Sequence, residues 1–129
     1  MKIGNIKFKA KRLDNGEWVY GYYYRENGNT YIIEDRQKES MLNRNVTYEV
    51  DPSTVCQFTG LKDCEDNELW EGDILEGEPK CEIVFFKGTF ATRFNGYDGE
   101  ECVNPLHYFI KGDGTVECKV IGNKFDKEK

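Results

Sequence analysis

The residues of this 129-residue chain that could do chemistry are one histidine, five cysteines, a dense run of acids and a cluster of tyrosines. Nucleophilic catalysis by a serine or cysteine would have to use His107 as its base, because the chain has no other histidine. His107 lies in Pro105-Leu106-His107-Tyr108-Phe109, an apolar run that reads as a strand. A polar residue on the outer face of such a strand is the ordinary case. Cys56, Cys64, Cys81, Cys102 and Cys118 are odd in number and widely spaced, with no C-x-x-C pair. That spacing excludes a zinc-ribbon or thioredoxin-type motif. Gly112-Asp113-Gly114-Thr115 lacks the lysine of a phosphate-cradling loop and reads as a hairpin turn. No catalytic residue, cofactor or metal ligand is assigned, and the chain is expected not to be an enzyme.

Two clusters remain. The first is the acidic run Asp63, Glu65, Asp66, Glu68, Glu71, Asp73, Glu76, Glu78 and Glu82. It fails as an EF-hand, since the loop glycine position holds Glu68 and the closing glutamate position holds Ile74. It is expected to be a solvated turn. A surface for a divalent ion or a basic partner is the alternative. The second cluster is Trp18, Tyr20, Tyr22, Tyr23, Tyr24 and Tyr31. These rings could form core, meet another chain or stack on nucleic-acid bases. Consecutive strand residues face opposite sides, so Tyr23 is expected to differ from Tyr22 and Tyr24. A lobe this small cannot bury so many rings alone, so some must meet the C-terminal barrel or a second chain, and a homo-oligomer is expected.

Charge narrows the partners. Residues 1–60 carry nine basic and eight acidic groups, and residues 61–129 carry nine and sixteen. The balance of −7 in the second part opposes binding to phosphate backbones, so no nucleic-acid partner is expected. Lys2, Lys7, Lys9, Lys11 and Arg12 are a local exception, read first as a guarded strand edge. With the tyrosines, this strand supports the alternative of a nucleic-acid-binding accessory protein. No run approaches the roughly 18 apolar residues of a membrane-spanning helix, and no signal peptide is expected. The thiols are expected to be reduced, in a cytoplasm.

The elements that position these residues are strand-like almost throughout. Ile6-Phe8-Ala10 and Val46-Tyr48-Val50 alternate as strands, and Trp18 to Tyr24 and Thr30 to Ile33 read as strands between turn signals. Asp14-Asn15-Gly16 and Asn27-Gly28-Asn29 are the turns between the first three. Residues 35–45 read as a polar loop or short helical turn. In the second part, Val55 to Phe58, Cys81 to Phe86, Thr89 to Phe94, Leu106 to Ile110 and Val116 to Ile121 read as strands. Residues 95–104 read as an acidic loop. Leu69-Trp70 is expected to put Trp70 in the core, ahead of a turn at Glu71-Gly72-Asp73. No window has the spacing of a long helix.

Pro52 to Ile74 contains Gln57-Phe58-Thr59-Gly60-Leu61-Lys62-Asp63 and then Leu69-Trp70-Glu71-Gly72-Asp73-Ile74. This block resembles the YopX family of phage and prophage proteins. Ile6-Lys7-Phe8-Lys9-Ala10, Trp18-Val19-Tyr20-Gly21 and Val120-Ile121-Gly122-Asn123 resemble its opening and closing pieces. The chain departs in the turn, where Cys64-Glu65-Asp66-Asn67-Glu68 replaces a lysine- and glycine-bearing segment. The resemblance implies an accessory protein acting in the bacterial host cytoplasm, and it brings no catalytic role to any residue. The signature reads as fold-making chemistry. The expected architecture is mainly β: a small N-terminal β-hairpin lobe, 1–54, packed on a C-terminal SH3-like β-barrel, 55–129.

Overall fold

The computed structural model describes residues 6–34, 46–77, 79–96 and 99–126. The expected polar loop at 35–45 lies outside them. The fold is mainly β, with two antiparallel sheets and no α-helix among the described residues. The chain divides into two compact units, Met1–Gln57 and Phe58–Lys129.

In the first unit, β1 (Phe8–Lys11), β2 (Trp18–Glu26), β3 (Asn29–Ile33) and β4 (Thr47–Val50) pair in the order β4-β3-β2-β1. The β2–β3 hairpin turns on Asn27 and Gly28, both at positive φ, which matches the twist of the strands it joins. Alternation then sorts the side chains. Ala10, Val19, Ile32 and Val50 share the core face, with Phe8 and Tyr48 packed against them. A 3-10 helix, Pro52–Thr54, follows β4 and is capped by Asp51. Its Thr54 hydroxyl accepts the N–H of Lys11 at 2.9 Å.

β5 (Cys56–Lys62) begins opposite β1, with Phe8 across from Gln57. Its later residues belong to the second unit and pair with β6 (Glu68–Trp70). β7 (Asp73–Leu75), β8 (Cys81–Phe86), β9 (Thr89–Asn95), β10 (Glu101–Pro105) and β11 (Val120–Asn123) form the second sheet, in the order β10-β9-β8-β7-β11. No strand pairing among the described residues closes it into a barrel. Leu69, Leu75, Ile83, Leu106 and Val116 are its core.

Three expectations change here. Residues 95–104 are not wholly loop, because Glu101–Pro105 pairs along β9 from Asn95 to Ala91. Leu106–Phe109 is a 3-10 helix rather than a strand. Pro105 has no N–H for a ladder, and only Leu106 of the run is buried, so a tight turn places one plug in the core. The hairpin beyond it shrinks to Lys111 N–H to Thr115 O, Glu117 N–H to Phe109 O and the Ile110–Val116 bridge.

Candidate functional site

The tyrosine cluster is built by the alternation of β2. Trp18, Tyr20, Tyr22 and Tyr24 lie on the face away from the core, and Tyr24 sits opposite Tyr31 on β3. The rings of Tyr24 and Tyr31 stack with centroids 5.1 Å apart. On the same face, Lys9 is in register with Tyr20 and Lys11 with Trp18. Both ammonium groups lie over the Trp18 ring, at 4.4 and 5.3 Å. Tyr23 points to the core face instead, where its ring meets Phe8 edge-on at 4.8 Å. Exposure does not follow the faces, since Tyr20, Tyr22 and Tyr23 are 48, 38 and 46% exposed. The structure therefore brings five of the six rings onto one face and places Tyr23 on the other.

The signature residues of the second unit form a polar seam. The Thr59 hydroxyl donates to Leu69 O at 2.8 Å and accepts the N–H of Leu61 at 3.1 Å. These bonds span the shift in the β5–β6 register that Gly60 occupies. Phe58 packs on Trp70 with centroids 5.2 Å apart, and both are buried. Trp70 donates its N–H to Asp73 Oδ2 at 2.8 Å, and Asn123 Nδ2 donates to Asp73 Oδ1 at 2.9 Å. Asn123 Nδ2 also reaches Glu71 O at 3.4 Å, while Asn123 Oδ1 accepts from Phe125 N at 3.0 Å. Gly72 has φ +89, and a Cβ there would lie 3.2 Å from Asn123 Nδ2, so the seam needs glycine at this point. Ile74 pairs with Gly122 across the β7–β11 register shift. The segments 71–74 and 122–123, far apart in sequence, are joined in the fold by these bonds.

Residues 7–128 match the protein family described as YopX protein. The chain belongs to this family. No curated protein matches it.

Within the signature, Trp70, Asp73 and Asn123 are thus bonded to one another, and Asp63 is bonded to Val120 of the closing piece. Asp63 is completely buried, which corrects the expectation that the acidic run is a solvated turn throughout. Its carboxylate accepts the N–H groups of Glu65 at 2.9 Å, Asn67 at 2.8 Å and Val120 at 2.9 Å, and Asn67 Nδ2 at 3.3 Å. Burial alone would raise its pKa, but the bonds from Val120, Asn67 and Glu65 outweigh burial and hold it below the usual carboxylate value. Asp73 is the second buried acid of the run. Glu82 is half-buried between Arg93 and Lys124, each 3.3 Å from one of its oxygens.

The other chemistry-bearing residues stay apart. His107 is exposed on the Leu106–Phe109 turn, its ring edge-on to Tyr108. An open depression of about 510 Å³ beside β8 and β9 is lined by Lys80, Glu82, Arg93 and Glu101, charges of both signs. Among the described residues, no three His, Cys, Asp or Glu side chains are placed to hold a metal ion. No helix among them is long and apolar enough to cross a membrane. Sequence reasoning missed Asp63 as a buried anchor. The available signal was an aspartate ending the Gln57–Asp63 block with an asparagine four residues on, the spacing of a side-chain-bonded turn.

Proposed function

We propose that the chain is a non-enzymatic, phage- or prophage-encoded accessory protein of the bacterial cytoplasm that works by binding other protein chains. A second copy of itself is the first partner, and a host or phage protein is the other. The observation that carries this reading is the ring-rich face of β2, where Tyr20 and Tyr22 remain 48 and 38% exposed beside Trp18, Tyr24 and Tyr31. Tyrosine supplies contact area at low entropic cost and is enriched where chains meet. The polar seam fits the role of a scaffold that holds its unit rigid. We read that unit as SH3-like, with the Glu71-Gly72-Asp73 turn leading into the β7–β10 meander.

Light scattering on the purified full chain at micromolar concentration tests self-association. The expected result is a discrete mass of more than one chain, reduced by Tyr20→Ala or Tyr22→Ala with the fold retained. A mass of one chain, unchanged on concentration, rejects it. Tyr23→Ala is expected to lower stability and leave the assembly, because Tyr23 faces Phe8 and the core.

The register of Lys9 and Lys11 beside Trp18 and Tyr20 favours one second reading, a platform for single-stranded nucleic acid. Fluorescence anisotropy with a labelled oligonucleotide separates the two. Salt-sensitive binding lost in Trp18→Ala supports this second reading.

A further inference from the structure

Segment 116–120 is pinned at both ends to one residue. Val116 forms a parallel bridge with Asp63 and donates its N–H to Lys62 O at 2.8 Å. Four residues later, Val120 donates its N–H to the Asp63 carboxylate at 2.9 Å. A stretch whose two ends meet the same residue must arch beside it, and Cys118 is the middle of that arch. Cys64 directly follows Asp63, and its backbone is held because Asp63 Oδ1 binds the N–H groups of both Glu65 and Asn67. Cys64 is exposed and Cys118 is half-buried against the core, and both are free thiols.

We propose that Cys64 and Cys118 are a modification site, a thiol pair that exchanges with small-molecule disulfides to form an internal disulfide. The exposed Cys64 thiolate attacks one sulfur of the small disulfide, whose S–S bond breaks and expels one thiolate. Cys118 then loses its proton, attacks the Cys64 sulfur of the mixed disulfide and expels the second thiolate. Two protein thiols are oxidised to one disulfide, the small disulfide is reduced to two thiols, and the two protons end on the released thiols.

The environments assign the order. Burial raises the Cys118 thiol pKa above its ordinary value, and Glu117, Cys64 and Glu76 push the same way. Cys118 is therefore the resolving thiol, and Cys64, open to solvent, meets the oxidant first. Cys81 is the competing partner, and its thiol pKa is likewise raised, by burial and then by Cys118. Cys81 is in register with Leu75, which pairs with Val120 on its other side. The intervening β7 places Cys81 roughly 10 Å from Val120, two strand spacings away; Cys118 precedes β11, so the peptide map decides between Cys64 and Cys81 as its partner. Cys56 is buried and belongs to the first unit.

The test is native oxidation of the reduced full chain with excess oxidised glutathione, followed by alkylation, intact mass and peptide mapping. The expected result is loss of two hydrogens per chain and a linked Cys64–Cys118 peptide. Cys118→Ser is expected to stop at a stable glutathione adduct on Cys64, and Cys64→Ser to leave Cys118 alkylatable. A wild-type chain that keeps the Cys64 adduct, or that links Cys118 to Cys81 or to a second chain, overturns the proposal. The wild-type measurement needs no variant to fold.

Discussion

Replacing Asp63 by alanine should destabilise the second unit strongly. The change removes a carboxylate that accepts four bonds, and the cost differs among the donors left behind. Glu65 and Asn67 are exposed, so water can reach their N–H groups once the carboxylate is gone. Each loses a backbone bond worth about 1 kcal/mol net, and the longer Asn67 Nδ2 bond, from an exposed side chain, is replaced by water at little cost. The N–H of Val120 is part-buried beneath the arch, and leaving it without an acceptor costs about 1–3 kcal/mol. Together these amount to roughly 3–5 kcal/mol, a large share of the 5–15 kcal/mol that holds a typical domain folded. Urea unfolding of a Trp18→Phe background makes Trp70 the sole tryptophan, so its fluorescence reports the second unit. Asp63→Asn keeps the shape and removes the charge, at about 2 kcal/mol near pH 7. The pH dependence follows from a folded pKa that lies below the unfolded one. The stabilisation is complete above the unfolded value near pH 4 and is lost as pH falls through the folded value. The gap between parent and Asp63→Asn should therefore shrink as pH falls below about 4. An Asp63→Ala variant within about 0.5 kcal/mol of the parent, or a gap indifferent to acid, would refute the reasoning.

Trp70→Ala should cost roughly 3–5 kcal/mol, read by thermal melting followed with circular dichroism, since the ring is buried against Phe58. A melt within a degree or two of the parent contradicts this. Gly72→Ala should cost about 1–3 kcal/mol, because alanine is strained at φ +89 and meets Asn123. Chemical denaturation measures it, and Gly88→Ala, with open space around its Cβ, is the control for the positive φ alone. Random duplex DNA should bind more weakly than about 1 μM at physiological salt, judged by gel shift across a salt series.

The hairpins were legible because two signals coincided. Trp18 to Tyr24 is rich in aromatic strand formers and is followed by Asn27-Gly28, while Cys81 to Phe86 is followed by Lys87-Gly88, where both turn residues take positive φ. β10 was not legible, because Glu101-Cys102-Val103-Asn104-Pro105 has little strand preference and takes its form from β9. The run Leu106 to Ile110 misled for the opposite reason. Its apolar content suits a strand, but only Leu106 is buried while Tyr108 stays exposed. In the acidic run, charge alone does not separate Asp63 from Glu65, and Asn67 four residues on marks only a bonded turn and not a buried one. The difference is made by Val120, whose N–H arrives from 57 positions away. The bonds that join Trp70, Asp73 and Asn123 are visible only in the fold.

The Asp73–Asn123 bond links residues 50 apart. Closing so long a loop costs entropy before the contact returns anything, so this bond is a poor candidate for the folding nucleus. The β8–β9 hairpin can form from local pairing while Asp73 is still hydrated. Asn123 is then expected to complete the buried polar network after the rate-limiting step. On this ordering, Asn123→Ala accelerates unfolding and leaves the refolding rate almost unchanged, so the seam sets how long the native state lasts rather than how fast it is reached.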